Sequence, residues 1–185
     1  MTILAIYPDT GGEAIEVIRD YQTIRDAMNN IGVHLERWPT RDIADDADSE
    51  LVMAAYADEI AELNRHYGFQ SVDVVSLKPD HPQADEFRGK FLAEHTHSDF
   101  EVRFFVDGDG LFYLHVEDRV YAIMCEKGDL ISVPENTTHW FDMGARPDFK
   151  CIRFFVVADG WVGEFTGSDI ASRHVSYEDY QAELV

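Results

Sequence analysis

Basic side chains are scarce in this chain: 15 lysines and arginines stand against 36 aspartates and glutamates, a formal net charge of −21. Phosphate backbones demand basic surface, so nucleic acid is excluded as a partner, and an anionic membrane surface with it. Cysteine is nearly absent. Cys125 and Cys151 each lie in apolar, strand-like sequence; they read as buried free thiols and supply no disulfide framework. No apolar run reaches spanning length, and the opening MTILAIYPD lacks a basic leader. It reads as a first strand, and the protein is expected to be cytoplasmic. Internal repeats and low-complexity linkers are missing too, and 185 residues suffice for one domain with a full core. The acidity itself reads as a solubility feature.

Two kinds of sequence are present. Before Phe91 the chain mixes strands and helices. Ile3 to Tyr7 reads as a strand ended by Pro8, and Ile24, Ala27, Met28 and Ile31 recur at helical spacing between an Asp20 cap and Gly32. Val33 to Trp38 looks extended. A polar, acidic loop then leads to a helix capped by Ser49, with Val52, Tyr56, Ile60, Leu63 and Tyr67 as its core stripe and Gly68 as its end. Val72 to Leu77 predicts a strand and Ala84 to Arg88 a short helix. Beyond Phe91, tight turns are signalled at Asp107 to Gly110, at Glu117 and Asp118, and at Lys127 to Asp129. Short strands at that spacing favour a small barrel or jelly roll. Cys151 to Val157 adds a strand, and Tyr177 to Leu184 a terminal helix.

The chemistry concentrates in FLAEHTHSDFEVRFFVDGDGLFYLH, which holds His95, His97 and Glu101 within seven residues; His139 follows in ISVPENTTHWFDM. An isolated strand histidine is more often a hydrogen-bonded structural residue than a ligand, but a cluster is different. If residues 95 to 103 form one unbroken strand, His95, His97, Glu101 and Arg103 share a face; a turn at Ser98 and Asp99 would void that parity. Packing such groups among Phe91, Phe104, Phe105, Phe112 and Phe141 is costly unless a cation or hydrogen bonds satisfy them. Three imidazoles and a carboxylate suit Fe(II), Ni(II), Co(II), Mn(II) or Zn(II), and are a poor match to calcium or a thiolate cluster. On an octahedral metal these four leave two positions, room for adjacent oxygens of a bidentate substrate.

The spacing from Gly89 through His95, His97 and Glu101 to Gly108 reproduces the first motif of the cupin superfamily, and Gly128, Pro134 and His139 keep the spacing of the second. Asn136 stands where that motif usually has Gly, and Met143 where it usually has Asn. More narrowly, EHTHSDFEVRFFVDGDGLFYLH, CEKGDLISVPENTTHWFDMG, the late IRFF and GW, the ERW near Arg37 and FTGSDIA near the end resemble the acireductone dioxygenase family. One local difference is Phe100, where an acidic residue is expected.

The resemblance implies a mainly β fold with flanking helices, a cupin-type double-stranded β-helix or jelly-roll barrel. It implies one cupin-type domain over 1–185, with N-terminal α/β elements 1–90 packed on a metal-binding barrel core 91–157 and a C-terminal tail 158–185. It implies one Fe(II) or Ni(II) per monomer on His95, His97, Glu101 and His139, acireductone and O2 as small-molecule partners, and a monomeric enzyme. In the family, the iron form yields formate and 4-methylthio-2-oxobutanoate in methionine salvage, and the nickel form 3-methylthiopropanoate, formate and CO. Arg103 and Arg153 are candidates for holding the anionic substrate, although each could be a structural ion pair instead. Phe91, Phe141 and Trp161 are candidate walls for its methylthio tail, and Glu94 a candidate for orienting a ligand imidazole. His115 reads as structural, and His34, His66, His81 and His174 as surface or loop residues. Two other readings compete: a non-catalytic metal-binding cupin serving as a ligand-binding or sensor module, and a cupin dioxygenase for a different enediol.

Overall fold

A computed structural model describes residues 1–157 and 162–185. Its centre is β6 (Glu101–Val116), a strand of 16 residues that belongs to two sheets. Its first part, Glu101 to Phe104, pairs antiparallel with β8 (Asp129–Val133), while Val102 to Gly108 pairs with β10 (Phe149–Phe155). Its second part pairs with β7 (Arg119–Glu126) and β9 (Thr138–Asp142). The Asp-Gly-Asp-Gly run at 107–110 is therefore no hairpin, contrary to its turn signal. It is where the strand crosses between sheets. Gly108 makes the crossing possible: its φ is +72°, and a Cβ there would lie 1.9 Å from the Asp148 carbonyl oxygen.

The first sheet continues from β7 to β1 (Ile3–Pro8) and β2 (Glu16–Ile18), and from β9 to β5 (His95–Thr96) and β11 (Glu164–Phe165). The second adds β3 (His34–Arg37) beside β8 and β4 (Ser71–Leu77) beside β10. Segment 1–90 thus supplies strands to both sheets. Strand alternation sorts the core: Leu4 and Ile6 point inward with Phe105, Phe112, Leu114, Ile131 and Phe141, whereas Ile3, Ala5 and Tyr7 face outward under Ile170 and Tyr180. The outer face of the second sheet, with Val102, Phe104, Leu130 and Phe154, is covered by Trp38, Val52, Tyr56 and Leu63. Along β1 and β8 both faces are buried, and their sequences read as nearly continuous apolar runs.

Helix α1 (Tyr21–Asn30) starts where the Asp20 carboxylate accepts from Thr23 N at 3.0 Å. The stripe from Val52 to Tyr67 forms two helices, not one. α2 (Ser49–Ala55) is capped by Asp48, not Ser49, and α3 (Ala57–Tyr67) ends on left-handed Gly68. The break falls at Tyr56, φ −113°, whose buried ring meets Phe104 edge-on at 4.8 Å and whose hydroxyl accepts from Arg41 N. Tertiary anchoring of one tyrosine overrides helical periodicity there. Cys125 and Cys151 are buried free thiols, as expected. His174, read as a surface or loop residue, lies in a bend, but its ring nitrogens are buried and its ring packs near Tyr7 and Trp140. Among the described residues no helix is long and apolar enough to cross a membrane.

Helix α4 (Ala84–Phe91) leads into the site and is clamped to the end of β9. Arg88 donates from Nε and Nη2 to both oxygens of Asp142, at 2.8 and 3.0 Å, and also to Glu178. Asp142 is only 1% exposed. Removing the guanidinium would leave that carboxylate with two backbone donors, Gly144 N and Tyr177 N. Arg88→Ala is expected to cost about 3 kcal/mol, a fall in Tm of about 6–12 °C. The double variant Arg88→Met/Asp142→Leu should recover part of that loss in thermal melts, since no uncompensated charge remains.

Candidate metal centre

His95, His97, Glu101 and His139 converge: one donor atom from each can be chosen so that all lie within 4.8 Å of one another, and all four residues are buried. The convergence does not come from strand parity. Ser98 and Asp99 form a bend between β5 and β6, so residues 95–103 are not one strand. Instead, β5 sets His95 directly opposite His139 on β9, and the bend swings Glu101 back toward both. The buried Asp99 carboxylate fixes that bend, accepting from Phe100 N at 2.7 Å and from Val156 N and Val157 N at 2.7 and 2.9 Å. Asn136, in left-handed conformation with φ +60°, donates its N–H to the His97 carbonyl at 2.8 Å. Asparagine tolerates the backbone that the motif's usual glycine would adopt. Met143 is buried in the inner core, and Phe100 turns outward onto Tyr67, 5.5 Å between centroids, so no acidic group stands at that position.

Each imidazole is oriented by the backbone. His95 Nδ1 donates to Ala93 O at 2.7 Å, His139 Nδ1 to Thr137 O at 2.7 Å, and His97 Nδ1 to Val162 O at 2.9 Å. The neutral tautomer so selected carries its lone pair on Nε2. Two of these Nε2 atoms face one carboxylate oxygen: Glu101 Oε2 lies 3.0 Å from His97 Nε2 and 2.7 Å from His139 Nε2. Two ligands at about 2.1 Å and a right angle would sit about 3.0 Å apart, so the spacing fits a divalent ion with nitrogen and oxygen ligands.

The electrostatics agree. Burial and the neighbouring His139 push His95 down to about 4, keeping it neutral and able to coordinate. At His97 burial acts in the same direction, but the Glu101 carboxylate outweighs it and the net shift is upward. Burial opposes ionisation of Glu101, yet Arg103, His139 and His97 together hold it well below the usual carboxylate range. The result is an anionic oxygen among imidazoles, a buried arrangement that a cation completes.

Arg103 donates from Nε to Glu101 Oε1 at 2.5 Å. Arg153, directly opposite it on β10, is held by both oxygens of Asp73 at 2.8 Å. Both guanidiniums line a cavity of about 100 Å³ together with Phe91, His97, Glu101 and Phe155. A second cavity, of about 310 Å³, also reaches Phe91 and is lined by Lys90, His95, Val162, Gly163 and Phe165. The donor cluster thus borders two chambers that share Phe91. Phe141 lines neither. It lies in the inner core, 4.8 Å from Phe112 and 6.2 Å from Phe91 between centroids, and its ring fills the space a Cβ on Gly110 would need. Trp161 lies outside the described residues.

Glu94 orients no ligand imidazole, since backbone carbonyls do that. Its Oε1 accepts from His115 Nδ1 at 2.8 Å and its Oε2 from Thr166 Oγ1 at 2.6 Å. It ties the end of β11 to the residue before His95. Sequence reading missed Asp99, Asp73 and the three carbonyls. A carbonyl carries no residue signal, and the two aspartates act on segments that only the tertiary fold brings near.

The family model described as "ARD/ARD' family" matches residues 13–163. The acireductone dioxygenase of Methylococcus capsulatus is 58% identical over 181 residues, 97% of each chain. That of Aquifex aeolicus is 53% identical over 97% of this chain and 98% of its own. Among solved structures, "Acireductone dioxygenase from Bacillus anthracis with cadmium ion in active center" superposes with a TM-score of 0.78 at 31% identity, covering 89% of this chain and 98% of that one. The mainly β architecture is that of the cupin fold, and with motif, donor cluster and whole-length likeness in agreement, the chain belongs to the ARD/ARD' family.

Proposed function

We propose that this protein is a cytoplasmic, monomeric dioxygenase that cleaves acireductone, 1,2-dihydroxy-3-keto-5-methylthiopentene, with O2. The observation that carries the reading is the convergence of four donors, two of which, His97 and Glu101, line a cavity that Arg103 and Arg153 also line. One Fe(II) or Ni(II) held by His95, His97, Glu101 and His139 would supply Lewis acidity and the means of activating dioxygen.

The rest falls to the protein. Arg103 and Arg153 offer fixed charge and forked donors to the oxygens of an enediolate, favouring its deprotonated form. Arg103 also holds Glu101 by one oxygen, so the other stays turned toward His97 and His139. Phe91, with Val162 and Phe165 across the larger chamber, offers apolar surface to a methylthioethyl tail; Phe141 supports Phe91 and Arg103 from beneath. A chamber reaching His97 and Glu101 supports an enzyme over a closed binding module.

Metal-stripped protein reconstituted with iron alone is expected to convert acireductone and O2 to formate and 4-methylthio-2-oxobutanoate, and nickel-only protein to release CO. Metal content by elemental analysis and products by chromatography check both. Stoichiometric metal without O2 consumption would sink the enzymatic reading and leave the binding module.

A further inference from the structure

Asp73, Arg153 and Arg103 form one row across three adjacent strands. Asp73 on β4 is in register with Arg153 on β10, and Arg153 with Arg103 on β6. Like charges directly opposite on an antiparallel ladder repel. Here two guanidiniums are set side by side against a cavity of about 100 Å³, and each is held by a carboxylate. Glu101 takes one nitrogen of Arg103, and Asp73 takes two of Arg153, Nε and Nη2, both at 2.8 Å. Arg153 Nη1 has no protein acceptor among the described residues.

An arginine on a strand has four flexible torsions, and beside a second cation its lowest-energy course is to swing away. The Asp73 fork opposes that. With the planar guanidinium locked along one edge, its remaining edge and Nη1 have a set direction next to Phe155, whose ring centroid lies 5.4 Å from Cζ. The Asp73 side chain is 45% exposed, so as a bare ion pair it would stabilise the fold little. A bidentate clamp on a cation that lines the cavity is better accounted for by positioning than by stability.

We propose that Asp73 is a positioning residue for substrate binding: it holds Arg153 against repulsion from Arg103 so that both guanidiniums meet the same anionic oxygens. This rests on the dioxygenase reading for the identity of the substrate, but not for its charge.

The test uses cobalt-reconstituted full-length protein and oxalate, a small dianion with adjacent oxygens, its binding followed by the visible absorption of the metal and metal content confirmed afterwards. Asp73→Asn is expected to weaken oxalate about tenfold and to raise KM for acireductone by a similar factor, with kcat within about twofold and metal stoichiometry unchanged. Arg153→Lys, which loses the fork, should give a comparable loss, and the double variant no more than either alone, because Asp73 acts through Arg153. Unchanged oxalate affinity in Asp73→Asn, or additive losses in the double variant, overturns the proposal. If the oxalate results hold while the wild-type protein does not oxidise acireductone, the inference stands and the substrate assignment falls.

Discussion

His97→Ala protein is expected to emerge from purification without stoichiometric metal and without dioxygenase turnover. The imidazole is one of two whose Nε2 faces Glu101 Oε2, and its Nδ1 is tied to the Val162 carbonyl. Alanine deletes a metal donor and leaves the Val162 carbonyl without its imidazole partner. Losing a partner that merely orients a ligand typically costs 10–100-fold in metal affinity, so losing a ligand should exceed about 100-fold. Melting curves give a check independent of activity. Saturating Ni(II) should raise the Tm of wild-type protein, because the ion binds only the folded state, at about 4 kcal/mol for a thousandfold excess over Kd. The His97→Ala curve should hardly move. Full metal occupancy in the variant, with the same metal-dependent rise in Tm, would remove His97 from the ligand set.

Arg103→Ala is the second large expectation, and it should separate binding of the ion from use of the substrate. The side chain does two things at once: its Nε fixes Glu101, and its remaining nitrogens line the cavity beside Arg153. Charge-assisted hydrogen bonds are worth about 1.5–3 kcal/mol each. Losing two toward an anionic substrate predicts a fall in kcat/KM of about a thousandfold, roughly 4 kcal/mol. Metal should still load, but about tenfold more weakly, because Glu101 loses the donor on its second oxygen. Arg103→Lys should restore much of the metal affinity and little of the turnover, since an ammonium carries the charge without the fork. Steady-state kinetics set beside metal titrations test both halves. A variant with normal kcat/KM would show that the guanidinium serves only Glu101.

What could be read from residue order, and what could not, divides along physical lines. His95, His97 and Glu101 were legible because donor types crowd within seven residues, and crowding of that kind among phenylalanines needs a compensating charge. Strand parity, which required an unbroken strand, does not apply. The bend at Ser98 and Asp99 brings them together, and it depends on two backbone donors near position 156, remote in sequence. The Asp-Gly-Asp-Gly run has the composition of a hairpin, yet its left-handed Gly108 lets a strand pass between sheets, and composition alone does not distinguish the two. The role of Glu94 was misread for a related reason. A carboxylate next to a ligand histidine invites pairing with that ring, but the Ala93 carbonyl already occupies Nδ1, so Glu94 reaches His115 and Thr166. Tyr56 shows the same override on a helix, where one anchored ring outweighs a regular stripe.

Because β6 carries Glu101 at one end and pairs through Leu114 with His139 toward the other, the donors come from both walls of the barrel: His95 and His139 from the first sheet, Glu101 from the stretch paired into the second. An ion gripping all of them is a rivet through two plates. Withdrawing it should loosen the seam along which the walls meet, and amide protons flanking that seam should exchange faster in stripped protein than those at the far rim, where β1 and β7 hold one another without its help.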